Sequence, residues 1–368
     1  MRLHDLFGDL IVFRKLEPPD PRLRGLAAIR DELALPMGRI PRKSEPDYAA
    51  VVVNLLRQAQ AARGVHRSLE RLLYIGDTRI NDGTAAKNLE QHLALRTFIG
   101  EDKLKEPLQV ETQGEFTFAN RWTALSDWLQ ALERGGFPLD ERLAVVVDVD
   151  KTAIGARGRN DAPIDQARVD AARDTAQAML GGGFRMETFR PIYDELHKPI
   201  YHFFTADNQD YVVYTSLMVS AGVYDFETLL TDLKLKRLAS LDEFVAACEL
   251  RLSAGFAALR PIHEQVAGNL RLGDPTPFKS FRYREYECTI ARMDALPDDT
   301  PREQLLTEEI AITREVADAA LQLGGHGALL FGLSDKPDEA SLPRPDLAQR
   351  GYLPLHRATM KVIGPQDA

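Results

Sequence analysis

The stretch VVVDVDKT, residues 145 to 152, decides the fold that we expect for this chain. It belongs to an apolar run, LAVVVDVD at 143–150, that is continuous enough to form a strand buried on both faces of a parallel sheet. Asp148 and Asp150 close the run, with one residue between them. Because α/β folds bind ligands at the carboxyl edge of a parallel sheet, the two carboxylates are predicted to share a cleft there.

Composition and charge narrow the class of protein. The chain has 368 residues, of which 44% are hydrophobic, and this suits one large or two medium soluble domains. No apolar run approaches the roughly 18 to 20 residues of a membrane span, and the first residues lack a signal-peptide core. The two cysteines, Cys248 and Cys288, form no disulfide framework and have no metal-ligand spacing. With a net charge of −9 there is no chain-wide basic footprint for nucleic acid. We therefore expect a cytoplasmic globular protein that binds neither membranes nor nucleic acid.

Helix and strand patterns alternate before this stretch. Residues 46–63 have apolar positions at helical spacing, an apolar strand follows at 72–76, and a second helix is expected to begin at Thr84. Residues 101–119 are polar and are expected to be irregular. Asn120 is then predicted to cap an amphipathic helix.

The pattern changes after the stretch. Residues 155–305 are mostly helical in pattern and rich in aromatic side chains. A long helix is predicted at about 303–322, and a second buried strand at 328–334. These patterns predict a doubly wound α/β core with an inserted helical domain. The core is assigned to 1–154 and 306–368, and the helical domain to 155–305.

The Asp-x-Asp run carries a family resemblance. It resembles the first motif of the haloacid dehalogenase superfamily of phosphohydrolases, an apolar strand followed by Asp-x-Asp-x-Thr. Asp148, Asp150 and Thr152 match this motif, and Lys151 stands where many members have glycine. The resemblance implies a Rossmann-like core with a parallel sheet and a helical cap over the site.

Three further motifs of that family are present. Ser334, in ALLFGLSDKP, resembles the Ser or Thr that holds a phosphoryl oxygen, with Asp335 in place of the common Asn. Lys43, in RKSEPDYAAVV, matches the lysine that stands at the start of a helix. Asp77 and Asp82, in YIGDTRIND, match the acidic motif, and the following GTAAKNL also resembles the family.

The order of the four motifs along the chain is third, fourth, first and second. This is the order of a circularly permuted chain, in which residues 101–142 join the ancestral end to the ancestral start. Such a rearrangement is physically cheap because the termini of domains often lie close together, and each strand-helix unit packs on its neighbours wherever the chain begins.

A second assignment keeps the motifs in their usual order. After Asp148 it uses, in turn, the following residues of the helical segment: Thr215 or Ser216, Lys234 or Lys236, and Asp274. This assignment leaves the detailed match at 72–89 unexplained, together with residues 306–368.

The resemblance implies a Mg²⁺ site built from oxygen ligands. Asp148 and Asp77 would supply two of these ligands. The backbone carbonyl of Asp150 would supply a third, and Asp82 would act directly or through water. The cation is needed because a phosphate ester repels a carboxylate nucleophile.

The resemblance also implies roles in catalysis. Asp148 would attack phosphorus and form an aspartyl-phosphate. Asp150 would protonate the leaving oxygen and later deprotonate the hydrolytic water. Ser334 and Lys43 would stabilise the equatorial oxygens as charge develops on them.

The expected activity is therefore Mg²⁺-dependent hydrolysis of a phosphomonoester. A cap over the site favours a small phosphorylated metabolite over a phosphoprotein. Two alternatives stay open at the level of sequence. A phosphomutase would use the same residues and return the phosphoryl group to the substrate, and a non-catalytic scaffold would bind phosphate or metal without turnover.

Overall fold

The computed structural model describes residues 1–252 and 254–365. Two compact units divide the chain: Met1–Gln166 with the chain from Thr289 onward, and Ala167–Cys288. The second unit lies inside the segment 155–305 that was assigned to a helical domain. Residues 155–166 and 289–305 belong instead to the first unit.

The first unit is built on a sheet. Its strands, in chain order, are β1 (Ile11–Val12), β2 (Arg71–Gly76), β3 (Ala94–Gly100), β4 (Val110–Gln113), β5 (Phe116–Ala119), β6 (Leu143–Asp148), β7 (Ile312–Thr313), β8 (Leu329–Leu333) and β9 (Val362–Ile363). Within the described residues, seven of them form one sheet in the order β1-β8-β6-β2-β3-β5-β4, while β7 pairs with β9. All pairs are parallel except β4 with β5. The expected α/β class, with a mostly parallel sheet compatible with a Rossmann-like core, is confirmed.

Helices occupy most of the remaining chain. Their bounds are α1 (His4–Phe7), α2 (Leu26–Ile29), α3 (Pro46–Ala62), α4 (Asn81–Leu89), α5 (Ala124–Arg134), α6 (Ala162–Leu180), α7 (Met186–Leu196), α8 (His202–Thr205), α9 (Gln209–Ser220), α10 (Phe226–Lys234), α11 (Leu241–Glu249), α12 (Arg260–Arg271), α13 (Lys279–Ile290), α14 (Arg302–Glu308), α15 (Arg314–Gly325) and α16 (Pro345–Gln349). Among the described residues, no helix combines the length and apolarity that crossing a membrane requires.

The central strand β6 is buried along its whole length because helices cover both faces of the sheet. Val145 and Val147 lie in one apolar cluster with residues of α5 and α15. Ala144 and Val146 point to the opposite face and lie in a second cluster with residues of α3 and α4. A strand covered on both faces has to be apolar at every position, and this explains the uninterrupted run that the sequence shows.

The segment 101–119 is not irregular, as expected, but contains β4 and β5. Gly114, with φ of +58°, stands in the turn between them. All four residues of β4 are exposed at the edge of the sheet. A strand exposed on both faces has no need for alternating apolar positions, so the pattern that normally announces a strand is missing.

Two helix predictions near the sheet are also wrong. The side chain of Asn120 does not cap α5, which begins at Ala124; it bonds the backbone of Gln109 and Pro107 instead. The long helix expected at about 303–322 is two helices, α14 and α15, separated by β7. The break occurs because Ile312 pairs with β9, which lies far away in sequence.

The second unit is helical throughout its described residues and has its own apolar core, which includes Leu217 and Phe244. Thr215 and Ser216 lie within α9, and not at the end of a strand. Asp274 follows α12 and forms an ion pair with Lys279 at 2.7 Å. The strands that the second assignment of motifs would need are therefore helices here.

Residues from the two ends of the first unit meet. The amino group of Met1 donates to the carbonyl of Met360 at 3.0 Å, and the amide of Met360 donates to the carbonyl of Met1 at 2.8 Å. The start of the chain thus lies directly beside the segment that leads into β9.

Candidate active site

Three adjacent parallel strands end at one point of the sheet edge. Asp148 ends β6 and lies opposite Leu333, the last residue of β8. β2 borders the other side of β6 and ends at Gly76. Ser334 and Asp77 are the next residues after β8 and β2. The sheet therefore delivers all three predicted site residues to one edge.

A cluster of three carboxylates forms there. Asp77, Asp82 and Asp148 each offer an oxygen within 4.8 Å of the others. Their exposed fractions are 8%, 1% and 5%. Three buried carboxylates at this separation are able to hold a divalent cation, since hard cations take oxygen ligands.

Lys43 neutralises part of this charge. Its ammonium donates to Asp82 and to Asp148, with both distances at 2.5 Å. Burial alone would lower the pKa of Lys43, but Asp148 and Asp82 raise it well above its usual value. The side chain is therefore a charged, buried cation in contact with two of the three carboxylates.

The carboxylate of Asp82 accepts five hydrogen bonds from the protein. One oxygen accepts from Lys43 and from the hydroxyl of Tyr74 at 2.9 Å. The other accepts from the amide of Asp77 at 3.1 Å, and from the amide and hydroxyl of Thr78 at 2.8 and 2.7 Å. Burial would raise the pKa of Asp82, but Lys43 and Thr78 lower it below its usual range. Asp82 thus orients Lys43 and the turn after β2.

The Asp82 side chain can lie against the end of β2 because residue 76 is a glycine. A Cβ atom added at Gly76 would lie only 2.6 Å from the carboxyl carbon of Asp82. The glycine before Asp77 is therefore required by the close approach of the Asp82 side chain to the end of β2.

The two other carboxylates, Asp148 and Asp77, are only partly compensated by their cationic partners, Lys43 and Arg157. Burial raises the pKa of Asp148 well above its usual value, although Lys43 opposes the shift. Burial and the neighbouring Asp82 raise the pKa of Asp77 to about 7, against the opposing effect of Arg157. Added positive charge would stabilise both carboxylates, so the site suits a cation.

Asp150 lies beside the cluster, and its carboxylate is not one of the three grouped oxygen donors within the described chain. Its side chain is 24% exposed, and Lys336 lies 3.5 Å away. The turn after β6 is sharp: Lys151 has φ of +63°, and the amide of Ala153 donates back to the carbonyl of Asp148. Thr152, the last residue of the motif, is buried beneath this turn.

Ser334 is buried, and its hydroxyl accepts from the amide of Lys336 at 3.1 Å. Asp335, the next residue, forms an ion pair with Arg14. Arg14 follows β1, which is the neighbour of β8 in the sheet, and this places the arginine next to the residues that follow β8. The sequence patterns did not predict the contacts of Arg14 with Asp335 and of Lys336 with Asp150. Lys336 is part of the tetrapeptide Ser-Asp-Lys-Pro, which could have pointed to it.

Arg157 was also missed. It lies nine positions beyond Asp148, and its guanidinium donates to Asp77. Its side chain is about one-third exposed, while that of Asp77 is almost fully buried. Nothing in the local sequence RGRN distinguishes this arginine from its neighbour Arg159, which pairs with Asp102 and Glu315.

The site as a whole combines buried carboxylates, fixed cations and a seryl hydroxyl at the ends of β2, β6 and β8. The carboxylates can hold a metal, and the neighbouring cations can hold an anionic group. Comparison of the chain with protein-family models, with curated proteins and with solved structures gives no match.

Proposed function

We propose that this protein is a Mg²⁺-dependent phosphohydrolase of the haloacid dehalogenase type, acting on a small phosphomonoester. One observation carries the proposal. The four motifs lie far apart in the sequence, from Lys43 to Ser334. In the structure their residues lie together around Asp148, at the carboxyl ends of three adjacent strands. Unrelated short matches would have no reason to meet at one place.

The order of the strands supports a circular permutation. If the chain is followed from β6 through its end into its start, and the two-stranded sheet of β7 and β9 is left aside, the first five strands of the large sheet are β6, β8, β1, β2 and β3. In the sheet these lie as third, second, first, fourth and fifth, which is the order of a doubly wound fold. The paired hydrogen bonds of Met1 and Met360 place the start of the chain beside the segment that leads into β9.

Asp148 would be the nucleophile. A bound Mg²⁺ would supply the positive charge that reduces repulsion between this carboxylate and the phosphate ester. Asp148, Asp77 and the backbone carbonyl of Asp150 would hold it. Asp82, whose oxygens already accept five hydrogen bonds, would act through water or by orienting Lys43.

The remaining residues would handle the proton and the phosphoryl oxygens. Asp150 borders solvent and would protonate the leaving oxygen, then take a proton from the water that hydrolyses the aspartyl-phosphate. Lys43 fixes the attacking carboxylate and, with Ser334, would stabilise charge on the equatorial oxygens.

The proposal is tested by phosphate release from an aryl phosphate and from a panel of phosphorylated metabolites. Activity should need Mg²⁺, stop with EDTA and disappear in Asp148→Asn. Asp127→Asn, which alters an exposed carboxylate on α5, is the matched control and should retain activity. Equal turnover without metal, or an active Asp148→Asn protein, would refute the mechanism. A requirement for a bisphosphate activator would identify a phosphomutase instead.

A further inference from the structure

Arg157 contacts the carboxylate cluster but has no role in the proposed chemistry. Its guanidinium donates to Asp77, one of the two carboxylates best placed to hold a metal. The backbone of Arg157 is anchored separately: its carbonyl accepts from the amide of Asp102 at 2.9 Å and from the indole of Trp122 at 3.3 Å. The side chain is therefore held in the site by Asp77, while the loop is held by other contacts.

A guanidinium and a divalent cation that contact the same carboxylate compete for its negative charge, so each is stabilised less than it would be alone. Arg157 supplies a positive charge at Asp77, where a metal would supply two. The guanidinium keeps its proton at any physiological pH, so it competes with a metal whenever Asp77 is ionised. Once a metal neutralises Asp77, attraction between Asp77 and the arginine becomes weaker.

The arginine then has a second partner within reach. One carboxylate oxygen of Asp77 lies within 4.8 Å of one of Asp148. From this we infer that a guanidinium in contact with Asp77 is near enough to reach a group attacked by Asp148. About one-third of the side chain is exposed, so Arg157 is accessible to a ligand that enters from solvent. Its planar donors suit the oxygens of a phosphoryl group.

We propose that Arg157 is an exchangeable counter-ion, which occupies Asp77 in the metal-free site and passes to the phosphoryl oxygens of the substrate once metal is bound. The inference rests on the proposed function, since it needs both a metal and an anionic ligand. The Arg157 side chain would therefore lower the affinity for the metal and raise the affinity for phosphate.

The test uses the full chain, with Mg²⁺ and inorganic phosphate as probes in isothermal titration calorimetry. Arg157→Gln should bind Mg²⁺ roughly three- to tenfold more tightly, because it removes a competing charge that is partly screened by solvent. With saturating Mg²⁺, the same variant should bind phosphate several-fold more weakly, since a charge-assisted contact is lost. Arg157→Lys should lie between the variant and the wild type.

Arg79→Gln is the matched control. Arg79 lies two positions after Asp77, but it pairs with Glu111 at 2.8 Å and is more than half exposed. This variant loses the same formal charge and should leave both affinities unchanged. Thermal unfolding followed by circular dichroism verifies that all variants are folded.

Each outcome decides the question. Unchanged or weaker Mg²⁺ binding by Arg157→Gln overturns the inference, and so does unchanged phosphate binding. If Arg79→Gln changes both affinities as much as Arg157→Gln does, the changes come from the loss of one positive charge in general, and the inference is overturned as well. If neither the wild type nor Arg157→Gln binds Mg²⁺, the metal site of the proposed function fails, and the inference falls with it. Wild type that binds Mg²⁺ with the same affinity as Arg157→Gln overturns the inference alone.

Discussion

The ammonium of Lys43 donates to the carboxylate of Asp148, which lies 105 positions further along the chain. Both groups are buried, and the same ammonium also binds Asp82. The contact joins the segment before α3 to the end of β6. A buried cation shared by two carboxylates compensates part of their charge in the interior, and it fixes the position of the Asp148 carboxylate.

Replacing Lys43 by Met should therefore harm both activity and stability. We expect turnover to fall by at least about 100-fold, as charge stabilisation in the transition state is lost. The metal-free protein should lose on the order of 3 kcal/mol of unfolding free energy in urea, because two buried carboxylates lose their partner. Lys87→Met, on the exposed side of α4, is the control. Equal stability of the two variants would show that Lys43 does not compensate the cluster.

Asp77→Asn should remove Mg²⁺-dependent phosphate release while the protein stays folded. Asp77 follows β2 at the shared strand edge, and its carboxylate lies in the cluster with Asp148. Asp274→Asn should leave turnover intact, since Asp274 pairs with Lys279 in the helical unit. Steady-state assays over a range of Mg²⁺ concentrations measure both. An essential Asp274 with a dispensable Asp77 would favour the motifs in their usual order.

Asp150→Asn should impair substrates according to their leaving groups. An alkyl phosphate needs its leaving oxygen protonated, whereas an aryl phosphate barely does. We expect kcat to fall at least about tenfold more for an alkyl than for an aryl phosphate, within the usual range for general acid catalysis. Equal losses for both substrates would mean that Asp150 is not the general acid.

Asp338 should make stability depend on pH. Burial raises the pKa of its carboxyl to about 6, although the amide of Lys15 donates to it. Between about pH 4 and 6 the folded protein keeps a proton that the unfolded chain has released, so this contribution to stability is lost as pH rises. Relative to Asp338→Asn, wild type should lose on the order of 2 kcal/mol of unfolding free energy from pH 4 to 7. Urea titrations in EDTA measure this, and curves that run parallel across that range contradict it.

A rearranged chain tests the permutation. A protein that begins at residue 140, runs to the end, continues through a short glycine-serine linker into Met1 and stops at residue 139 should fold and keep its activity. Met1 lies beside Met360, which precedes the last residue of the given sequence by eight positions. Residues 140–368 alone should fail to fold, because they lack β2, β3 and the helices α3 and α4 that cover one face of the sheet. A soluble, active 140–368 fragment would refute the permutation while leaving Asp148 and Asp150 in place.

The sequence by itself determined the central strands and the residues that end them. β2, β6 and β8 were predictable because a strand covered on both faces must be apolar throughout. Asp77, Asp148 and Ser334 follow from those strands, since parallel neighbours end at the same edge. Helix α3 was predictable because its apolar residues recur at helical spacing, which is also a local pattern.

Only the tertiary structure decided the order of the strands and the partners of the charged side chains. The pairs Arg157 with Asp77, Arg14 with Asp335 and Lys336 with Asp150 join segments that are 80, 321 and 186 positions apart. The edge strand β4 and the break between α14 and α15 were equally hidden. Apolar periodicity records which face of an element is buried, whereas a long charged side chain takes whichever partner the folded loops bring near, and no local pattern encodes that meeting.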